Sequence, residues 1–144
     1  MAARDHLSNN QFVRLFRGIH QVVPEQLEQN PRDIGPHWSR SPEVAYNFAT
    51  YRDSEGTPLH DWEDELSSGT IVEALVHKRN IIDPQSEEGQ DWASGEAVFG
   101  HGHPEQERTV RPGSPVHIQA FHHYDDDKGT SRTVKPTRRK GYRA

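Results

Sequence analysis

The sequence predicts an α+β domain in which short strands form packed sheets and few helices flank them. Residues 12–19 alternate between two faces, and residues 70–77 form a second, largely apolar run, so each is expected to be a strand. Residues 42–50 have the spacing of one amphipathic helix. A hydrophobic fraction of 31% over 144 residues fits a single domain with a small core and long loops.

Composition excludes several classes of protein and site. The chain has no cysteine, which excludes disulfides, thiolate zinc sites and a cysteine nucleophile. No apolar run approaches the roughly 18–20 residues that span a bilayer, and the N-terminus lacks the apolar stretch of a signal peptide. We therefore expect a cytoplasmic protein with no membrane partner.

The first third of the chain contains two further elements. Gly18, inside the first strand, indicates a point where another group approaches the backbone closely. Residues 24–29 predict a short helix that begins at Pro24, and residues 30–41 predict a loop rich in Pro and Gly.

The helix expected over 42–50 has clear start signals. Ser41 suits the N-cap, Pro42 suits the first helical position, and Glu43 complements the positive end of the helix. The residues that share its apolar face are Val44, Ala45, Phe48 and Ala49.

Beyond this helix the pattern alternates between loops and short strands. Residues 52–69 and 84–104 are polar and predict surface loops. Short strands are expected over 80–83, 106–111 and 115–121, the last two joined by a turn over 112–115.

Charge divides the chain into a predicted domain, residues 1–127, and a predicted tail, residues 128–144. The tail has seven Lys or Arg and no acid, which leaves 10 basic and 22 acidic residues, a balance of −12, on the rest. Because it has almost no large apolar residue, the tail is expected to be disordered. It is either a solubilising terminus or an arm that binds phosphate.

Three segments could carry chemistry. Arg17 lies in the first strand, and a guanidinium binds phosphate or carboxylate through a planar fork. Residues 39–41, Ser-Arg-Ser, lead into the helix, and a serine hydroxyl can hold a ribose or orient a carboxylate. Glu105 and Glu107 stand two apart on an extended segment, so their carboxylates point to the same side.

In this order, the three segments resemble the motifs of the ADP-ribosyltransferase superfamily, in its Arg–Ser–Glu class of clostridial-type toxins and ecto-transferases. The matching pieces are LFRG, HWSRSPEVAYNFA and EQERTVRPGSP. The chain departs from the family at Arg40, the middle of the Ser-Thr-Ser motif, and in the polar strand after Glu107. The resemblance implies a split β-sandwich of two packed sheets.

The resemblance also implies a mechanism with NAD as the substrate, bound in a cleft between the sheets. Arg17 would grip its phosphates or a ribose, and the backbone of Gly18 would approach the nicotinamide amide. Ser39 would position Glu107, whose carboxylate would favour the positive charge that forms as nicotinamide leaves. Glu105 would orient or deprotonate the acceptor, and in the family this E-x-E pattern accompanies arginine acceptors.

Three further residues are expected near NAD: His37, Ser41 and Phe48. Each motif also has a structural reading, because Arg17 could be a salt-bridged strand residue and serines before a helix are commonly caps. Phe48 could equally be a core residue. His101 and His103 are spaced like metal ligands, but no motif supplies the rest of a set, so no metal site is expected.

The resemblance therefore predicts an enzyme, a small phage or bacterial mono-ADP-ribosyltransferase in the cytoplasm of the producing or infected cell. Its partners would be NAD and a macromolecular acceptor, which is a protein, or a nucleoprotein or nucleic acid held by the basic tail. Two alternatives stay open. One is an NAD glycohydrolase, with water as the acceptor, and the other is a non-catalytic binding module of the same fold.

Overall fold

The computed structural model describes residues 11–50, 68–82, 107–125, 128–137 and 141–144. Its strands are β1 (Phe12–His20), β2 (His37–Ser39), β3 (Ser68–His77), β4 (Ile81–Ile82), β5 (Glu107–Val110), β6 (Pro115–Asp125), β7 (Thr130–Val134) and β8 (Tyr142–Arg143). Its helices are α1 (Pro24–Gln29) and α2 (Pro42–Ala49), with 3-10 turns at Pro31–Asp33 and Lys78–Asn80. Within these described stretches, no helix has the length and apolar character needed to cross a membrane.

The fold is a mostly antiparallel sheet with few helices, as the α+β prediction states. The strand order is β4-β5-β2-β1-β3-β6-β7, and β8 pairs with β6. Between β1 and β2 the recorded register consists of one pair, Phe16 with Ser39, whereas β1 and β3 pair along their whole length. Two separate sheets were expected. Instead, the strands form one hydrogen-bonded sheet, in which β1 and β2 are joined through a single residue pair.

Two short connections show that the two halves of the sheet, β4-β5-β2 and β1-β3-β6-β7, lie face to face. In the strand order β3 and β4 are four steps apart, about 19 Å at about 4.8 Å per strand. The 3-10 turn that joins them has three residues and rises only about 2 Å per residue. Residues 111–114 likewise join β5 to β6, which are also four steps apart. Such short links fit the roughly 10 Å between packed sheets, so the sheet folds over on itself.

The main core fills the space between the two halves. Alternation along β1 directs Leu15 inward and brings Val13 and Ile19 against the same cluster. The other half contributes Trp38 and Val110. The remaining buried members of this cluster are Leu27, Ile34, Val72, Ala74, Val76, Val116, Ile118, Phe121 and Tyr142.

Helix α2 packs on the opposite, outer face of β1 and β3. Its buried Ala45 and Ala49 form a second cluster with Ile71. Two strand glycines make this close approach possible. A Cβ on Gly18 would lie 1.8 Å from the carbonyl oxygen of Ala45, and one on Gly69 would lie 2.1 Å from that of Ala49. The expectation that something approaches Gly18 closely is confirmed, and the group is the backbone of α2.

This contact gives a stability prediction for Gly18→Ala. Because the new methyl group would overlap a helix backbone that cannot rotate away, we expect a loss of about 3 kcal/mol in unfolding free energy. Gly113→Ala is the control, because its φ of 84° costs about 1 kcal/mol while its Cβ would meet nothing within 4 Å. Chemical denaturation measures both. Equal losses would contradict the close packing.

Most predicted elements are confirmed. The strands over 12–19, 70–77 and 115–121, and the helices over 24–29 and 42–50, all appear with small shifts at their ends. The loop prediction for 30–41 was wrong in part, because β2 lies inside it and is hydrogen-bonded on both sides, to β1 and to β5. Pairing with strands distant in sequence leaves no local signal. The loop predicted over 52–69 was wrong at its end, because β3 begins at Ser68. Residues 52–67 and the predicted loop at 84–104 lie outside the described residues.

The prediction of a disordered tail over 128–144 was wrong for its described residues. Strand β7 pairs with β6 over five register positions, and β8 pairs with the start of β6. Arg132 donates to both carboxylate oxygens of Glu25 at 2.8 Å, which lowers the pKa of Glu25 to about 2. Tyr142 enters the main core beside Phe121 and donates its hydroxyl hydrogen to Glu28. The segment therefore belongs to the domain.

Candidate active site

The structure places two of the three motifs side by side. Ser39, at the end of β2, is in register with Glu107, the first residue of β5. On its other side Ser39 is in register with Phe16 of β1, the residue before Arg17. Three segments distributed between Phe12 and Val110 in the sequence thus occupy three adjacent strands.

Ser39 and Glu107 share one face of this part of the sheet. Trp38 lies in the main core, so its neighbour Ser39 points to the opposite side. Glu107 shares that side because directly paired residues face the same way. Ser39 is buried and Glu107 is half-buried. The Arg108 side chain donates to the carbonyl oxygen of Glu107 at 2.8 Å, so this side chain lies against the backbone at the start of β5.

The two serines also have structural roles. The backbone N–H of Ser41 donates to Ser39 Oγ at 3.0 Å, and the N–H of Val44 donates to Ser41 Oγ at 3.2 Å. Ser41 is thus the N-cap of α2, as predicted. A hydroxyl that accepts one hydrogen bond can still donate its own hydrogen. Ser39 can therefore both brace the turn into α2 and donate to a carboxylate or a ligand.

The polar backbone groups of Gly18 point toward β2. The N–H of Gln21 donates to the carbonyl of Ser68 on the β3 side, and in an antiparallel strand the bonding direction alternates residue by residue. The N–H and C=O of Gly18 therefore point away from β3. Among the described residues the β1–β2 register pairs Phe16 with Ser39, and continuing this antiparallel register places Gly18 across from His37, the first residue of β2.

Arg17 lies on the other face of β1 from Phe16 and Gly18. It shares the inward side with Leu15, and its Nε donates to the carbonyl oxygen of Ile34 at 3.0 Å. The guanidinium thus enters the space between the sheet halves, whereas Ser39 faces outward. Convergence of the three side chains on one ligand stays a prediction, and it requires a ligand that reaches both faces of the sheet.

The remaining expected site residues are His37, Phe48 and Glu105. His37 is half-buried in β2, in register with Thr109, on the same face as Ser39. Phe48 is half-buried on α2 and is not a member of either core cluster. Glu105 lies outside the described residues, as do His101 and His103. Within the described residues, no three side chains of His, Cys, Asp or Glu are grouped to hold a metal ion.

Sequence reasoning missed a polar cluster on the outer face beside this site. Glu73 is in register with Phe16, forms an ion pair with Arg14, and meets His122 Nε2 at 2.8 Å. His122 Nδ1 lies 3.1 Å from the Thr133 hydroxyl. Burial raises the pKa of Glu73, but the hydrogen bond from His122 and the charge of Arg14 outweigh burial and hold it below its usual value. No spacing in the sequence could reveal a cluster that needs three strand pairings.

No protein-family model, curated protein or solved structure matches this chain.

Proposed function

We propose that the protein is a mono-ADP-ribosyltransferase that cleaves NAD and transfers ADP-ribose to a macromolecular acceptor. The observation that carries the proposal is the register that aligns Ser39 with both Glu107 and Phe16. It aligns the Ser39 and Glu107 segments on adjacent strands, next to the strand that carries Arg17, and these three segments resemble the motifs of this superfamily in sequence.

In the proposed reaction Glu107 acts on the bond between the ribose C1′ and the nicotinamide nitrogen. As that bond breaks, its electron pair leaves with nicotinamide and positive charge develops at C1′. A nearby carboxylate stabilises this charge more in the transition state than in the ground state. The acceptor nucleophile then bonds to C1′ and gives up its proton to the carboxylate of Glu105. Ser39, which pairs with Glu107 across the strands, would donate its hydroxyl hydrogen to orient the carboxylate.

The binding groups proposed for NAD are two neighbouring residues of β1, Gly18 and Arg17. The N–H and C=O of Gly18 suit the amide of nicotinamide, whose carbonyl oxygen accepts and whose NH₂ group donates. Arg17, on the inner face of the same strand, suits the pyrophosphate. A dinucleotide is long enough to contact both. His37 and Phe48 are proposed to border the ribose and the nicotinamide ring.

The decisive experiment is incubation with NAD labelled in its adenylate part, with and without a cell lysate. We expect nicotinamide release together with label on a macromolecule. Release without label would assign the protein as an NAD glycohydrolase. Neither release nor label, with NAD still bound, would assign it as a binding module.

The E-x-E pattern predicts separate roles for the two glutamates. Glu105→Gln is expected to reduce label transfer at least tenfold while nicotinamide release stays within about twofold, because Glu105 would act only on the acceptor. The measurement compares free nicotinamide with acceptor-bound label in the same reaction, using agmatine as a simple guanidinium acceptor. A parallel loss of both activities would contradict an acceptor-side role.

A further inference from the structure

Four cations gather at the end of the sheet away from the candidate active site. Lys78 and Arg79 lie on the link from β3 to β4, and Arg111 begins the link from β5 to β6. The N–H of Arg111 donates to the carbonyl of Asn80, which joins the two links. Arg143 donates to the carbonyl of Gly113 on the second link. We call this set, Lys78, Arg79, Arg111 and Arg143, the basic end.

The basic end contrasts with the rest of the chain. All four of its side chains are exposed. The segments that form it, residues 11–13, 77–82, 110–117 and 141–144, contain no Asp or Glu, although the whole chain has a net charge of −5. A cationic surface on an acidic protein concentrates a phosphate polymer at one place and repels it elsewhere.

An aromatic row borders the basic end on the outer face. The Phe12 ring stands edge to face with His77 at 5.2 Å and with His117 at 5.6 Å between centroids. All three rings are half-buried, so each keeps part of its surface in solvent. His77 Nδ1 also accepts from the backbone N–H of Arg79 at 3.1 Å, which holds the His77 ring next to the chain segment that carries Lys78 and Arg79.

We propose that the basic end and this aromatic row bind single-stranded nucleic acid. Cations that follow a phosphate backbone beside rings on which bases stack are the combination used for sequence-tolerant binding of single strands. The proposal is independent of the proposed enzymatic activity. It differs from binding by a disordered basic tail, because the basic end takes only Arg143 from residues 128–144, whereas Arg132 is tied to Glu25 and β7 is part of the sheet.

Salt dependence gives the expected size of the effect. Four phosphate contacts on a single strand predict a log–log slope of about −2.8 for the binding constant against salt. Raising salt from 50 to 200 mM should then weaken binding about 50-fold. Removing two contacts should reduce the slope to about −1.4.

The test is fluorescence anisotropy with a labelled 12-nucleotide poly(dT) strand, in the absence of NAD. Lys78→Glu with Arg79→Glu is expected to weaken binding at least tenfold at 50 mM salt and to reduce the slope. Lys128→Glu with Lys135→Glu is the matched control, with the same change in charge on exposed residues beside β7, and should alter binding less than threefold. Phe12→Leu is expected to weaken binding about fivefold or more through lost stacking, with little change in slope.

Several results would overturn the proposal. These are no binding of the strand by the unaltered protein, equal losses in the two charge variants, or tighter binding of duplex than of single strand. Loss of binding only in the control variant would assign nucleic acid to the segment around β7. Because nicotinamide release is measured separately and should not change in the Lys78 and Arg79 variant, failure here leaves the proposed catalysis standing.

Discussion

Glu107→Gln is expected to lower the rate of nicotinamide release by roughly 10²–10³-fold, the usual cost of removing one electrostatic stabiliser from an active site. Glutamine has nearly the same shape, and the pairing of β5 with β2 uses the backbone, so the fold should be unaffected. NAD affinity should change less than about threefold, since the carboxylate acts mainly when positive charge develops on the ribose. Single-turnover release assays and equilibrium binding measure the two quantities.

The control for this variant is Glu43→Gln, which removes the charge of an exposed glutamate at the first turn of α2. It should leave nicotinamide release within about twofold. If Glu107→Gln also leaves release unchanged, the proposal that Glu107 is catalytic is wrong. If affinity for NAD and release fall together by the same factor, Glu107 is a binding residue and not a group that acts in the transition state.

Ending the chain after Asp127 is expected to abolish cooperative unfolding, because the removed residues belong to the domain. The truncation deletes β7, which pairs with half of β6, and β8 with Tyr142. Loss of a buried aromatic side chain alone costs about 3–5 kcal/mol, against a total stability of about 5–15 kcal/mol for most domains. Thermal denaturation followed by circular dichroism is the measurement.

A point variant separates the effect of losing the buried Tyr142 side chain from the effect of losing the whole segment 128–144. Tyr142→Ala in the full chain should lower the unfolding free energy by about 3–5 kcal/mol, since the ring is buried beside Phe121 and its hydroxyl group meets Glu28. Lys135→Ala is exposed and should change it by less than about 0.5 kcal/mol. A truncated chain that melts at the temperature of the full chain would show that residues 128–144 do not contribute to the fold.

Prediction from the sequence worked best where the pattern is local. The helix α2 has its cap, its proline and its apolar face within ten residues. The cap, the proline and the buried positions of Val44, Ala45 and Ala49 appear as expected, whereas Phe48 is only half-buried. Strand β2 failed because its three residues are held by partners on both sides that lie far away in the chain. The segment after residue 127 failed for a related reason. Its composition is typical of a disordered tail. In the structure, however, β7 forms hydrogen bonds with β6, and the Tyr142 side chain packs in the main core.

For the candidate site, too, the sequence determined one part and the tertiary structure another. The sequence by itself determined which residues could carry chemistry, because side-chain type and local spacing are properties of the chain: a guanidinium followed by glycine, serines before a helix, and a glutamate at a strand start. Only the tertiary structure decided that Ser39 is aligned with Glu107 and that Arg17 faces inward while they face outward. Register and face depend on which strands pair, and that is set by the packing of the whole core around residues distant in sequence.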